Sequence, residues 1–141
     1  MEKLKILIQV DMEGSSGITH LDQIVPGKPE WEKARHFMTG DTNAAVRGIY
    51  NAAEEIGVSP NNVEVTVVDS HWAMNNIISD RLDQRVRRLI RGIERRHPQV
   101  EGIDDTYQGV IALANHDQSP NPESESVGIL GSNLGLFRGG V

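Results

Sequence analysis

Asp11, Glu13, His71 and His116 are the residues of this chain whose side chains and placement most strongly indicate chemistry. Each lies just after an apolar segment of the sequence. Carboxylates and imidazoles together suit Zn²⁺, Mn²⁺ or Co²⁺, whereas Mg²⁺ and Ca²⁺ favour oxygen ligands and structural zinc more often uses cysteine. The chain contains no cysteine. These four residues therefore predict a metal site.

The same residues suit a site with two ions. A carboxylate between two metal ions can bridge them, and two ions about 3.5–4 Å apart activate water and polarise a carbonyl or phosphoryl group together. Asp11 is the candidate bridge. Taken singly, an Asp-x-Glu pair is more typical of a solvated loop or a helix cap, and a single histidine is more often structural. For the two histidines, the shared position after apolar segments favours ligands instead.

Three segments rich in β-branched residues precede these side chains and predict strands at residues 4–10, 63–68 and 109–114. Helical patterns between them indicate βαβ units. We therefore predict an α/β fold, three-layer-like, with a parallel or mostly parallel sheet flanked by helices. In such sheets ligands bind beyond the carboxyl ends of the strands, which is where the four residues lie.

The helical segments have recognisable ends. Pro29 suits a first helical turn, a pause is expected near residues 39–41, and Asp41 would cap a second helix over residues 42–56 that Gly57 ends. Residues 82–93 fit either a helical stripe or a short strand near residues 88–91, so both readings stay open.

Composition limits the classes of partner. A chain of 141 residues fits one domain, and neither a leader nor an apolar run near 18 residues is present, so we expect a soluble cytoplasmic protein without membrane contact. The net charge of −6 argues against nucleic acid as the main partner. The arginine-rich segment 81–96 lacks nearby aromatic residues for base stacking, and it predicts a solvated or subunit-facing surface.

The chain changes character after His116. We predict a metal-binding α/β domain over residues 1–116 and a divergent, poorly ordered Ser/Pro/Gly-rich tail over residues 117–141. The glycines of the tail lack the spacing and the strand-to-helix context of a phosphate-binding loop.

Three blocks of the sequence, residues 10–17, residues 69–76 and residues 100–107, resemble the D-aminopeptidase metallopeptidases. The blocks read VDMEGSSG, DSH followed by MNN, and VEGIDDTY. The resemblance covers residues 4–116, which is about the first half of a usual family member.

The resemblance implies a dinuclear zinc aminopeptidase that acts on short peptides with a free N-terminus, including peptides of D-amino acids. It also implies a ring-shaped homo-oligomer. By motif match, Asp11 would bridge both ions, Glu13 and His71 would complete the first site, and His116 would bind the second ion. Two zinc ions per subunit are expected, with Mn²⁺ or Co²⁺ as alternatives.

Polar neighbours of these residues are candidates for supporting roles. Asp69 would orient His71 from outside the metal site, and Asn75, Asn76 and Asp104 would fix loops or substrate. Two sets of residues are predicted to be structural or exposed. Trp31 and Trp72 are predicted as packing or interface anchors, with Trp72 also able to wall the pocket, and surface positions are predicted for His20, His36 and His97.

The family pattern has a later catalytic histidine and a later metal-binding glutamate that do not match this sequence. The histidine would fall near Ser126 or Val127, while Glu123 and Glu125 lie too close to His116 for the glutamate. The catalytic residue is therefore unknown. A metallo-aminopeptidase and a catalytically incomplete or truncated remnant that keeps metal binding or oligomerisation both remain open, as does a non-peptidase α/β domain.

Overall fold

The structure, a computed structural model, describes residues 3–97, 99–116 and 135–137. Within these ranges the chain forms five β-strands, one long α-helix and three short 3-10 turns. The strands are β1 (Leu4–Val10), β2 (Val63–Asp69), β3 (Val86–Ile90), β4 (Gly109–Leu113) and β5 (Gly135–Phe137), and the helix is α1 (Pro29–Glu55). The 3-10 turns are Leu21–Gln23, Pro60–Asn62 and Ser79–Arg81.

The five strands form one sheet in the order β3-β2-β1-β4-β5. Strands β1 to β4 pair in parallel, and β5 pairs antiparallel with β4. The predicted α/β fold with a mostly parallel sheet is therefore confirmed. Strand β5 falls in the segment 117–141, for which the sequence predicted no element. The rest of that segment lies outside the described residues, so the division at residue 116 stays a prediction.

One face of the sheet packs against α1 and forms the hydrophobic core. Ile8 pairs with Val67 of β2 and with Ile111 of β4, so three β-branched side chains form a row across the sheet. All three are buried and belong to the same apolar cluster as Met38 and Val46 of α1. This cluster is what fixes the helix across the sheet, because burial of apolar area is the main driving force for packing.

The opposite face of the sheet is covered by the loop between β3 and β4. The hydroxyl groups of Thr66 and Tyr107 lie 2.8 Å apart, and Gln9 Nε2 donates to Gln99 Oε1 at 3.3 Å. Lys5 Nζ lies 5.9 Å from the centre of the Tyr107 ring. Leu7 and Val68, which alternate with the helix-facing Ile8 and Val67, are also fully buried on this face. Hydrogen bonds and apolar burial therefore hold the loop on the sheet together.

Helix α1 is continuous, and the predicted pause at residues 39–41 is wrong. The Thr39 and Thr42 hydroxyls each donate at 2.8 Å to a backbone carbonyl one turn earlier, which satisfies them inside the helix. Asp41 accepts from the backbone N–H of Ser16 at 2.6 Å instead of capping a second helix. The ends agree with the predictions, since Pro29 occupies the first turn and Gly57 has a φ of +78° just after the helix.

The ambiguous segment 82–93 contains strand β3, so the strand reading is correct. Its hydrogen-bonded neighbour is β2, and Tyr50 of α1 donates to the Arg85 carbonyl at 3.0 Å just before the strand. Most of the arginines between residues 81 and 96 are exposed, and Arg95 is half-buried. None of the helices in the described ranges is both long enough and apolar enough to cross a membrane.

Candidate metal centre

The carboxyl ends of β1, β2 and β4 are joined by backbone hydrogen bonds. The backbone N–H of Asp11 donates to the Leu113 carbonyl at 2.9 Å, and the backbone N–H of Ser70 donates to the Val10 carbonyl at 2.8 Å. Helix α1 leads from β1 to β2 on one side of β1, while β4 lies on the other side. A crevice at such a change of direction is the usual ligand site of an open α/β sheet.

Gly14 permits a further backbone contact at this edge of the sheet. Its backbone N–H donates to the Ala114 carbonyl at 2.9 Å, and a Cβ atom at Gly14 would lie 2.9 Å from the backbone of Ala114. Ala114 itself has a φ of +59°, a left-handed conformation that side chains disfavour. The glycine therefore lets the loop after β1 approach the segment that carries His116.

Asp11, Glu13 and His71 form a buried cluster at this edge. The Nδ1 atom of His71 lies 3.0 Å from Asp11 Oδ1 and 3.2 Å from Glu13 Oε2. One ligand atom from each residue falls within 4.8 Å of the others, as a shared metal ion requires. Asp11 is 6% exposed, Glu13 is 9% exposed and His71 is 3% exposed, so their charges are largely shielded from water.

His116 faces the other oxygen of Asp11. Its Nε2 atom lies 3.8 Å from Asp11 Oδ2, and its side chain is 39% exposed. Asp11 therefore presents one carboxylate oxygen to each imidazole. The structure brings together all four residues predicted as metal ligands, and their borderline and hard donors suit a Zn²⁺ ion.

The imidazole of His71 is held from both sides. Its Nε2 atom lies 2.7 Å from the Ile24 carbonyl oxygen, opposite the two carboxylates that face Nδ1. Asp11 is also oriented, because its Oδ1 accepts from the backbone N–H of Met12 at 2.9 Å. Such outer contacts fix the direction of a ligating side chain before any ion binds.

The three buried groups shift one another's pKa values. Burial alone lowers the pKa of His71, but its hydrogen bonds to Asp11, Glu13 and the Ile24 carbonyl raise that pKa to about 10. Burial alone raises the pKa of Glu13, but its contacts with His71 and Asp11 lower it to about 2. Burial raises the pKa of Asp11. Shifts of this kind are typical of functional clusters.

Asp69 and Asn76 support the loop that carries His71. The buried Asp69 carboxylate accepts from the Asn76 side-chain amide at 2.8 Å and from the Ile77 backbone at 2.8 Å. The Asn76 amide also donates to the His71 carbonyl at 2.7 Å. Asp69 therefore reaches the backbone of His71 through Asn76, whereas the sequence suggested that it orients His71.

Two residues of α1 complete this support through contacts that the sequence did not predict. Trp31 Nε1 donates to the Asn76 side-chain oxygen at 2.9 Å, and Arg35 Nε donates to the Asn76 carbonyl at 2.9 Å. The predicted packing role of Trp31 agrees with its place against the core. No sequence signal links residue 31 to residue 76, because the contact depends on how α1 crosses the sheet.

The other candidates lie apart from this network. Asn75 is exposed. Asp104 accepts from the Thr106 backbone at 2.9 Å on the loop that covers the opposite face of the sheet. His20, His36 and His97 are exposed, as predicted. Trp72 is 61% exposed, so it is not a packing anchor within this chain.

A cavity of about 340 Å³ opens over the cluster. The four candidate ligands form one part of its lining, and the other part consists of Ser70, Trp72, Met74 and Gln99. A second cavity, of about 270 Å³, lies at the other end of the sheet and is lined by apolar side chains and Gln108 without a titratable group. Of these two cavities, the first is the one lined by titratable side chains.

The D-aminopeptidase family model matches residues 4–125 of the chain. The D-aminopeptidase of Bacillus subtilis (strain 168) is 33% identical over 119 residues, which are 84% of this chain and 40% of that protein. The chain also resembles the solved structure of the Zn-dependent D-aminopeptidase DppA from Bacillus subtilis, a self-compartmentalizing protease. That match has a TM-score of 0.71 and 34% identity, and it covers 84% of this chain and 40% of the other.

The chain thus spans about two fifths of the length of these relatives. The family match nevertheless covers all four residues of the candidate metal centre, from Asp11 to His116. By this match the chain belongs to the D-aminopeptidase family.

Proposed function

We propose that this chain binds two zinc ions at Asp11, Glu13, His71 and His116 and forms the metal centre of an aminopeptidase. The observation that carries the proposal is the placement of the Asp11 carboxylate, with Oδ1 3.0 Å from His71 and Oδ2 3.8 Å from His116. A carboxylate so placed suits a bridging ligand.

The ligands divide into two sets in this proposal. Glu13 and His71 complete the first site, whose atoms already cluster around His71 Nδ1. His116 serves the second site, where its greater exposure leaves room for substrate. Zinc is supported by the imidazole and carboxylate donors and by the zinc dependence of the structurally similar DppA.

Bound zinc ions would supply Lewis acidity for a scissile carbonyl and lower the pKa of a water molecule. The residues of the chain orient the proposed ligands and shield them from water. Ile24 and Met12 hold His71 and Asp11 in direction, and burial strengthens the electrostatic interactions of the site. A free N-terminal amine, in its neutral form, would be able to ligate one of the ions, whereas a blocked end would not, which favours peptides with a free N-terminus.

The substrates we propose are short peptides with a free N-terminus, D-amino-acid peptides among them. The cavity of about 340 Å³ accommodates the end of a peptide rather than a folded chain. A homo-oligomer, ring-shaped as the family resemblance implies, is part of the proposal, and the self-compartmentalizing relative supports assembly. Sedimentation velocity tests it directly, and a monomer at all concentrations would contradict it.

Metal binding without hydrolysis is the second candidate function. It is favoured by one specific observation, namely that Ser126 and Val127 stand where the family pattern has its catalytic histidine. The two candidates share the same ligands and differ in turnover.

The test is release of a chromogenic amine from D-alanyl and L-alanyl p-nitroanilide by the zinc-loaded chain. We expect turnover that disappears in Asp11→Ala and persists in Asp80→Ala, a matched control at an exposed carboxylate. Bound zinc without any turnover would favour the second candidate. Turnover that survives Asp11→Ala would contradict both ligand sets.

A further inference from the structure

Trp72 is a large aromatic side chain left exposed beside the candidate metal centre. It follows His71 directly, and 61% of its surface is accessible. The two rings meet edge to face, with centroids 6.1 Å apart and an angle of 74° between their planes. The indole therefore lies next to a candidate metal ligand without being buried in the core.

The backbone that carries Trp72 is held in a disfavoured conformation. Trp72 has a φ of +45° and Met74 a φ of +55°, and Ala114 is the other non-glycine residue with a positive φ among the described ranges. All three lie in the two loops that carry His71 and His116. Strained conformations of this kind persist where the surrounding structure fixes them, and they concentrate at binding sites.

Hydrogen bonds on both sides fix this loop. Met74 donates to the His71 carbonyl at 2.7 Å, and Gly92 donates to the Met74 carbonyl at 2.7 Å. The His71 carbonyl accepts from the Asn76 amide as well. These hydrogen bonds fix the backbone of the loop, and this fixed backbone holds Trp72 in its exposed position.

The lining of the cavity combines charged and apolar side chains. Trp72 and Met74 are the two large apolar side chains among the described lining residues, beside the four candidate metal ligands. A peptide whose N-terminal residue binds at the candidate metal ligands would place the side chain of that residue near His71. Trp72 offers an exposed apolar surface at this position.

We propose that Trp72 is a specificity-determining residue that contacts the side chain of the substrate's N-terminal residue and favours aromatic side chains there. The proposal rests on the proposed function, since it uses the same cavity. The physical basis is the burial of exposed indole surface against an aromatic ring, in stacked or edge-to-face contact. The alanine side chain is too small to make that contact.

The test is calorimetric titration of the zinc-loaded full chain with the hydroxamates of D-phenylalanine and D-alanine. The unmodified chain should bind the phenylalanine probe about tenfold more tightly. Trp72→Gly, which suits the positive φ, should weaken the phenylalanine probe more than the alanine probe and so reduce that preference to less than about twofold. Trp72→Phe should retain most of the preference. Ile56→Ala, an exposed apolar control at the other end of the sheet, should retain all of it.

Equal binding of both probes by the unmodified chain, with zinc present, would overturn the role of Trp72 while leaving the metal centre intact. Failure to bind zinc or either probe would instead overturn the proposed function and this proposal with it. A third result would also overturn the proposal: Trp72→Gly abolishes self-association in sedimentation velocity but keeps the probe preference. Trp72 would then be an interface residue.

Discussion

The Nε2 atom of His71 lies 2.7 Å from the carbonyl oxygen of Ile24. A carbonyl oxygen only accepts hydrogen bonds, so the Nε2 atom of His71 carries its hydrogen and donates. The Nδ1 atom is then the one that faces Asp11 and Glu13. In the proposed metal centre this nitrogen is the ligand atom, and a single backbone contact selects it.

The first prediction concerns the pH dependence of stability in the metal-free chain. The pKa of His71 is raised from 6.5 to about 10 in the folded chain. Its contribution is therefore fully present below pH 6.5 and is lost as the pH rises to about 10, by at most about 1.4 kcal/mol per pH unit. Urea unfolding between pH 6.5 and 10, with a chelator present, should show this decline.

Two variants make the pH comparison specific. His71→Gln should be less stable at pH 6.5 and should lose the part of the slope that His71 contributes. His36→Gln, at an exposed histidine of α1, should keep the slope of the unmodified chain. Identical slopes in all three chains would show that the buried ion pairs do not form.

The second prediction concerns Asn76, which is fully buried and connects Asp69, His71 and Trp31. Asn76→Ala removes one buried hydrogen bond each from Asp69, the His71 carbonyl and Trp31, and we expect a loss of about 3 kcal/mol in the free energy of unfolding. The adjacent Asn75 is exposed, so Asn75→Ala should change stability by less than about 0.5 kcal/mol. Similar losses in both variants would contradict the bridging role of Asn76.

The third prediction concerns the close approach at Gly14. In Gly14→Ala the new methyl group would meet the Ala114 backbone at 2.9 Å, so we expect a loss of about 2–3 kcal/mol. Gly48, in the middle of α1, has nothing within 4 Å of an added Cβ, and Gly48→Ala should gain about 0.5–1 kcal/mol from helix propensity. Thermal unfolding of both variants measures the contrast. A gain in Gly14→Ala would mean that the two loops do not meet.

Much of the site could be predicted from the sequence because strand ends converge by geometry. The three apolar segments became β1, β2 and β4, and parallel pairing brings their carboxyl ends to one edge. Asp11, Glu13, His71 and His116 could thus be grouped without knowing any contact. The cytoplasmic location remains a prediction, since nothing in the fold bears on it.

The misjudged features depend on tertiary contacts. Asp41 resembles a helix cap by residue type, but its carboxylate binds the Ser16 backbone, and α1 continues through it. Strand β3 has a helix-like spacing of apolar residues, yet pairing with β2 determines its structure. Trp72 follows a core strand, which suggested a packing role. Its backbone has a φ of +45° in a hydrogen-bonded loop, and the ring is exposed.

The most direct measurement of the central claim is zinc per chain by elemental mass spectrometry, after loading and removal of free metal. The unmodified chain should hold about two ions, His116→Ala about one, and Asp11→Ala fewer than one, because the bridging carboxylate serves both sites. His36→Ala, an exposed histidine control, should hold about two. Equal zinc content in the unmodified chain, Asp11→Ala and His116→Ala would contradict the proposed two-ion centre.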